Sequence, residues 1–207
     1  MDIDIVLAYV ATVLILMSTP GPSQLLMLSN SMNYGFKPSL YTAAGDLTAN
    51  FFQMVIATVG LVSLIHNAQE FFWLVKWLGV GYLVYVGLKL ILADTSSGNE
   101  PQLSDRSRKS LFLQGFITSA ANPKAVIFFA ALFPQFLRPN SPLLGQFVML
   151  SMTYLCIDGL FLCCYGRFAL WIKEKVLGES KRKMNWLSGS LLMIAAIILG
   201  MKDIKNT

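Results

Sequence analysis

Apolar residues run along this chain in long blocks, without the alternation of a half-exposed strand or the narrow stripe of a surface helix. Windows of 18 or more mostly apolar residues recur from end to end. Each is near or above the roughly 20 residues that a helix needs to cross about 30 Å of hydrocarbon. Six spans are predicted: 5–30, 40–65, 71–92, 111–133 with Pro134 ending it, 143–171 and 186–201. The longer ones must tilt, bend or run into the interface. The fold class expected is an all-α membrane protein, a single polytopic domain over 1–207. Its longest polar linker is 94–110, rich in Thr, Ser, Gly, Asn and Pro with mixed charge.

Two places interrupt this pattern. The first span contains Ser18-Thr19-Pro20-Gly21-Pro22. Each proline lacks an N–H and clashes with the turn before it, and Thr19 and Gly21, preceding prolines, are pushed out of the α region. A helix should break here, near mid-membrane. Hydrocarbon offers the freed backbone groups no partner, so the break must face protein or a watery cavity. A simple kink in a packing helix is the competing reading. The second break is Ala121-Asn122-Pro123-Lys124 in the fourth span, where Asn122 precedes a proline.

Pro123 lies about half a chain after Pro20. The spans then divide into a first repeat of about 1–93 and a second of about 111–207, three helices each, both opening with a broken helix. Three helices per half make the second half enter from the opposite side, which is an inverted repeat. The halves are not otherwise alike in sequence.

Composition agrees: 55% of residues are apolar and 13% charged, and the mean hydropathy is +0.59. No stretch is long enough for a separate soluble domain. Asp2 and Asp4, in place of basic residues, precede the first apolar run, and no A-x-A site follows it, so it reads as a retained span and not a cleaved signal peptide. The net charge of +5 sits in connections and is read as topology, not nucleic-acid binding. Lys37, then Arg106, Arg108 and Lys109, then Lys173, Lys175, Lys181, Arg182 and Lys183 fall on one side. Arg138, Lys202 and Lys205 fall on the other. The positive side is cytoplasmic by rule, which puts both termini outside.

Charges inside a membrane cost about 2.5–3.5 kcal/mol each on insertion scales and suggest function. Asp46, Lys124 and Asp158 are such charges. Thr42, Asp46, Asn50 and Gln53 share one helical face, as do Ser151, Tyr154, Asp158 and Tyr165. A buried ion pair that only fixes packing is the alternative, weightiest for Asp158. The half-helix beginning at Pro22 should point free N–H groups and partial positive charge into the break, beside Ser23 and Gln24. That suits a carboxylate, with Lys124 adding a full charge. Asp46 and the carbonyls freed before the breaks suit an amino group. The expected ligand is a small zwitterion, held by Pro20, Gly21, Pro22, Ser23, Gln24, Asp46, Asn50, Asn122, Pro123 and Lys124. Asp46 and Asp158 are the candidate proton carriers, from burial alone. No catalytic residue, metal or cofactor is expected.

Other features read as structure. Gly79, Gly81 and Gly87 should let the third span pack closely, as should Gly189, Ala195, Ala196 and Gly200 in the sixth. Trp73, Trp77, Trp171 and Trp186 lie near span ends, as interfacial anchors do. His66 reads as solvated. Cys156, Cys163 and Cys164 share one span and read as packing residues.

Several stretches together resemble the lysine-exporter (LysE) superfamily, homoserine/threonine-exporter (RhtB) branch. They are Pro20-Gly21-Pro22 with 25–28 (LLML), Gly45-Asp46, 78–89 (LGVGYLVYVGLK), and Gly115-Phe116 leading to Asn122-Pro123-Lys124, Phe128-Phe129 and Pro134-Gln135-Phe136. The likeness covers nearly the whole chain, and the fifth and sixth spans match only in character. Pro38 and Ser39 depart from it, since a glycine is expected entering the second span. The resemblance implies a bacterial inner-membrane exporter of amino acids or related metabolites, driven by the proton gradient. Its partners would be a small-molecule substrate and the lipid bilayer, with no nucleic acid; homo-oligomerisation is left open.

Rival classes are weaker. An intramembrane aspartyl protease lacks its flanking motifs, since Ala44-Gly45 precedes Asp46 and no Pro-Ala-Leu follows Asp158. No H-E-x-x-H exists. A thiol-redox carrier would need cysteines on two facing helices. A passive channel, or an exporter of another solute or ion, differs from the leading reading in coupling and cargo.

Overall fold

The computed structural model describes residues 3–18, 20–60, 77, 80–85, 87–89, 91–92, 107–138, 141–177 and 181–201. Every regular element among them is helical. In order they are α1 (Ile3–Ser18), α2 (Pro22–Tyr34) and α3 (Phe36–Gly60). Then come α4 (Val80–Lys89), α5 (Arg108–Ala120) and α6 (Pro123–Ile127). A π-turn (Phe128–Leu132) and a 3-10 turn (Phe133–Phe136) extend α6. α7 (Leu143–Ile172) ends in a π-turn (Lys173–Leu177), and α8 (Lys181–Met201) closes the fold.

Packing is inverted relative to a water-soluble protein. On α7 the buried face carries Gln146, Ser151, Tyr154 and Asp158, while Leu144 is 76% exposed and Met152, Leu160, Phe168 and Trp171 also face outward. Lipid accepts apolar side chains without cost, so the polar ones turn inward. Trp77 and Trp186 are exposed as well, as expected of anchors; Trp73 and His66 lie outside the described residues. By length and hydropathy one described helix, Leu143–Lys175, is long and apolar enough to cross a membrane alone, and α1 with α2 qualifies as a pair bent by 55°. α3 has 25 residues, but its polar stripe lowers its hydropathy. The fourth expected span is broken at Asn122, the second and third run into undescribed residues, and the sixth lies within α8.

The basic residues gather at one end. The turn between α2 and α3 is Gly35 alone, at φ +87°, a conformation that side chains rarely adopt. Beside it, the Arg167 guanidinium lies 4.9 Å over the Phe36 ring and Arg108 5.4 Å over Tyr41. Lys173 Nζ donates to Met32 O at 3.1 Å, a cation on the C-terminus of α2.

Several boundaries differ from expectation. α3 starts at Phe36, not residue 40, because Pro38 fits a first helical turn and Ser39 Oγ bonds Phe36 O and Ser31 Oγ, both at 2.7 Å. α5 starts at Arg108, capped by Ser107, so the linker ends three residues before 110. Pro134 does not end the fourth span: it sits at the start of the 3-10 turn, where no N–H is needed. α8 begins at Lys181, five residues before Trp186.

The glycine expectations divide. Gly87 and Gly189 do touch: a Cβ on Gly189 would lie 2.7 Å from Gly87 O. No atom of the described residues lies within 4 Å of a Cβ on Gly81, and Gly79 lies outside the described residues. The closest crossing is between α3 and α5. A Cβ on Gly45 would overlap the Phe112 carbonyl oxygen and one on Gly115 the Thr42 carbonyl oxygen, so these helices meet backbone to backbone. Cys156 and Cys164 are exposed and Cys163 partly so; at least the first two are not buried packing residues.

Candidate functional site

Both breaks form as the pre-proline rule requires. Gly21 is extended at φ −129°, ψ −173° and Asn122 at φ −70°, ψ 110°; Thr19 lies outside the described residues. The breaks also meet. A Cβ on Gly21 would lie 3.6 Å from Lys124 Cδ and 4.0 Å from Asn122 Nδ2. Asn122 Nδ2 donates to Ser23 Oγ at 3.4 Å.

Four of the backbone groups at the breaks are taken up by side chains. Gln24 turns back so that its Oε1 accepts from Gly21 N at 3.0 Å, and its Nε2 points at Met17 Sδ, 3.6 Å away. Asn122 Oδ1 accepts from Lys124 N at 3.1 Å, capping α6. Gln53 Nε2 donates to Ser119 O and Ala120 O, both at 3.2 Å. Gly21 N, Lys124 N and the Ser119 and Ala120 carbonyls are therefore not left waiting for a ligand. Gln24 serves the break itself, and Gln53 satisfies the carbonyls before the second one.

Two polar layers fill the seam between α2, α3, α5 and α7. In the first, Asn50 Nδ2 donates to Asp46 Oδ2 at 2.9 Å and to Asp158 Oδ2 at 2.8 Å, while Asn50 Oδ1 accepts from Ser119 Oγ at 2.8 Å. Asp46 Oδ1 has no partner at hydrogen-bonding geometry among the described residues, with the Ser23 and Ser119 hydroxyls and the Asp158 carboxyl beside that Asp46 carboxyl at looser geometry. One helical turn away, Asn30 Nδ2 donates to Thr42 Oγ1 at 2.8 Å and to Gln114 Oε1 at 3.3 Å.

The junction borders a small, partly open cavity of about 10 Å³, room for about one water molecule. Seven of the residues picked from the sequence line it: Ser23, Gln24, Asp46, Asn50, Asn122, Lys124 and Asp158. Gly21 and Pro22 are buried beside it, and Pro20 is exposed and does not line it. Pro123 is the first residue of α6, and its side chain lies outside the described residues. Leu16, Met17, Ser119, Ala125 and Tyr154 also line it and were not in the expected set. Ser119, a polar residue three positions before the break, carried a usable signal. Tyr154 shared the stripe with Asp158. It stacks on Phe128 at 5.5 Å and packs on Phe129 at 4.8 Å, joining the cavity to the aromatic cluster around Tyr9.

The family model for LysE type translocators matches residues 14–203. The chain belongs to this family. The LysE-type translocator is thus a membrane transport protein, in keeping with the apolar residues that α7 turns outward. It is 30% identical over 196 residues to a homoserine/homoserine lactone efflux protein of Salmonella typhimurium, covering 93% of this chain and 94% of that one. A Salmonella typhi protein of the same description is equally similar. An uncharacterized membrane protein of Vibrio cholerae is 29% identical over 205 residues, 96% of this chain and 98% of that one. No solved structure matches the translocator.

Proposed function

We infer that this translocator is a secondary exporter of amino acids or closely related small metabolites across the bacterial inner membrane. The observation that carries the reading is the meeting of two helix breaks around one buried cavity that holds two carboxyl groups and an ammonium, Asp46, Asp158 and Lys124. Discontinuous helices meeting at mid-membrane are how transporters build a solute site. The ammonium of a small zwitterion goes to the Asp46–Asp158 side and its carboxylate to Lys124 and Ser23. Homoserine, named in the relatives' descriptions, has this chemistry.

The finer organisation belongs to the same reading. Six spans form two inverted repeats of three, with α1–α2 as one broken span and α5–α6 as the other. The exchange of partners supports it: α3 packs on α5 of the other half, and α7 on α1 and α2. The basic end carrying Lys37, Arg108, Arg167 and Lys173 is cytoplasmic and both termini are periplasmic. A cavity of about 10 Å³ is far below the several hundred cubic ångströms of ordinary ligand sites. The helices must part for a solute to enter, as alternating access demands, with the proton gradient as the driving force.

The test loads cells with short peptides that hydrolyse inside and follows amino acids released to the medium. Protein-dependent release that a protonophore abolishes, and that Lys124→Ala and Asp46→Asn each lower at least about tenfold, is the expected result. A tenfold loss corresponds to about 1.4 kcal/mol of transition-state stabilisation. Release that persists with the protonophore would show a passive channel. Absence of release for every amino acid would overturn the cargo.

A further inference from the structure

The core is polar on one side of the cavity and apolar on the other. Toward the start of α1 it is filled by Tyr9, Val13, Phe128, Phe129 and Phe133, all buried. Toward the basic end, buried polar side chains follow one another turn by turn between α2, α3 and α5. Ser23, Asp46, Asn50 and Ser119 line the cavity. Next come Asn30, Thr42 and Gln114, joined by the two bonds from Asn30 Nδ2. Ser31 and Ser39 follow, their hydroxyls 2.7 Å apart. Polar side chains that serve to hold helices together in a membrane are paired with one another. The middle layer has donors to spare. Gln114 Oε1 accepts from Asn30, yet its Nε2, with two hydrogens, has no partner among the described residues. Thr118 lies four positions on, on the same face of α5 and beside Ser119 of the cavity. Its hydroxyl likewise has no partner among the described residues. Both residues are at 0% exposure, where an unmade hydrogen bond is costly.

This seam is also built to open. α3 and α5 meet backbone to backbone at Gly45 and Gly115, so they form one unit. α2 is tied to that unit by bonds between neutral side chains, from Asn30 to Thr42 and Gln114 and between Ser31 and Ser39. Such bonds are weak in net terms, because water or a solute can replace either partner. We propose that Gln114 and Thr118, framed by Asn30 and Thr42, form a second solute site on the cytoplasmic side of the charged cavity. Their N–H and O–H donors take the carboxylate of a small zwitterion when α2 leaves the α3–α5 pair, while its ammonium stays toward the water of the opened seam. The proposal rests on the exporter reading, which makes the basic end cytoplasmic, and adds an entrance to it. Neutral donors hold a carboxylate less firmly than the Lys124 ammonium does, so the solute passes on to the charged cavity.

The experiment uses the full-length translocator with Cys156, Cys163 and Cys164 replaced by Ala and Thr118→Cys added, in inside-out vesicles that present the cytoplasmic face. A membrane-impermeant methanethiosulfonate should label the new thiol. Homoserine at about ten times its half-protecting concentration should slow labelling about tenfold. Adding Asp46→Asn, which removes a charge from the cavity, should leave that protection in place, because the second site does not depend on it. A thiol that resists labelling from the cytoplasmic face, labelling that homoserine does not slow, or protection lost with Asp46→Asn overturns the second site. Should the cysteine variant fold poorly, Thr118→Val and Gln114→Leu in the otherwise unchanged chain decide by kinetics. Each should raise the half-saturating homoserine concentration at the cytoplasmic face about tenfold or more, as loss of a hydrogen bond to a charged group does. The value at the periplasmic face, read by counterflow in right-side-out vesicles, should stay unchanged. Equal changes on both faces mark a structural role and overturn the proposal. Wild-type protein that moves no homoserine removes that cargo and this site together. A wild type that exports homoserine while Thr118→Cys stays unlabelled removes the site alone.

Discussion

Gly45→Ala is the sharpest test of how the site is framed. The new Cβ would overlap the Phe112 carbonyl oxygen and stand 2.8 Å from Phe112 C and 2.9 Å from Phe116 N. Real Cβ atoms essentially never come within 3.0 Å of such neighbours, and all three are backbone atoms that cannot rotate aside. Helices α3 and α5 must therefore move apart. Overpacking of this kind costs about 1–3 kcal/mol where neighbours can yield, and backbone atoms place the expected loss at the upper end. Separation also pulls Asn50 on α3 from Ser119 on α5, whose 2.8 Å bond has little slack. The assay is thermal unfolding in detergent, read beside export. Gly45→Ala should lower the Tm and the export rate together. The control is Gly81→Ala, where no atom of the described residues lies within 4 Å of the new methyl group; it should change stability by less than about 0.5 kcal/mol. A Gly45→Ala protein that matches wild type in both readouts would refute the backbone-to-backbone crossing.

Two further outcomes are expected. Gln53→Leu removes the donor that reaches Ser119 O and Ala120 O; Ser119 O keeps its bond from Asn122 N, so the loss falls on Ala120 O and should cost on the order of 1–3 kcal/mol, seen as a lower Tm, while Gln53→Asn, one methylene short, should be nearly as damaging. Replacing Cys156, Cys163 and Cys164 together by Ala should preserve export, since all three are free thiols and two face outward; loss of export would revive a redox role.

The local consequences of the sequence were legible because they follow from neighbours along the chain. A residue before proline leaves the helix whatever surrounds it, so Gly21 and Asn122 marked both breaks. A polar stripe in an apolar helix must turn inward in lipid, so Thr42, Asp46, Asn50 and Asp158 marked the buried seam. Which group satisfies which was beyond that reach. Gln53 looked like one more polar residue of the stripe, yet it serves the carbonyls of a helix 66 positions away. Gln24 looked ready for a ligand, yet it caps its own break.

The sequence by itself determined an all-helical membrane protein with two breaks and a polar interior, because hydropathy, proline sterics and helical periodicity act within a segment. Only the tertiary structure decided that the two breaks touch, that Gly45 and Gly115 set the spacing of α3 and α5, and that Asn50 joins Asp46 to Asp158. Those pairings depend on crossing points between helices, and a crossing point is a property of two surfaces that no single stretch of chain contains.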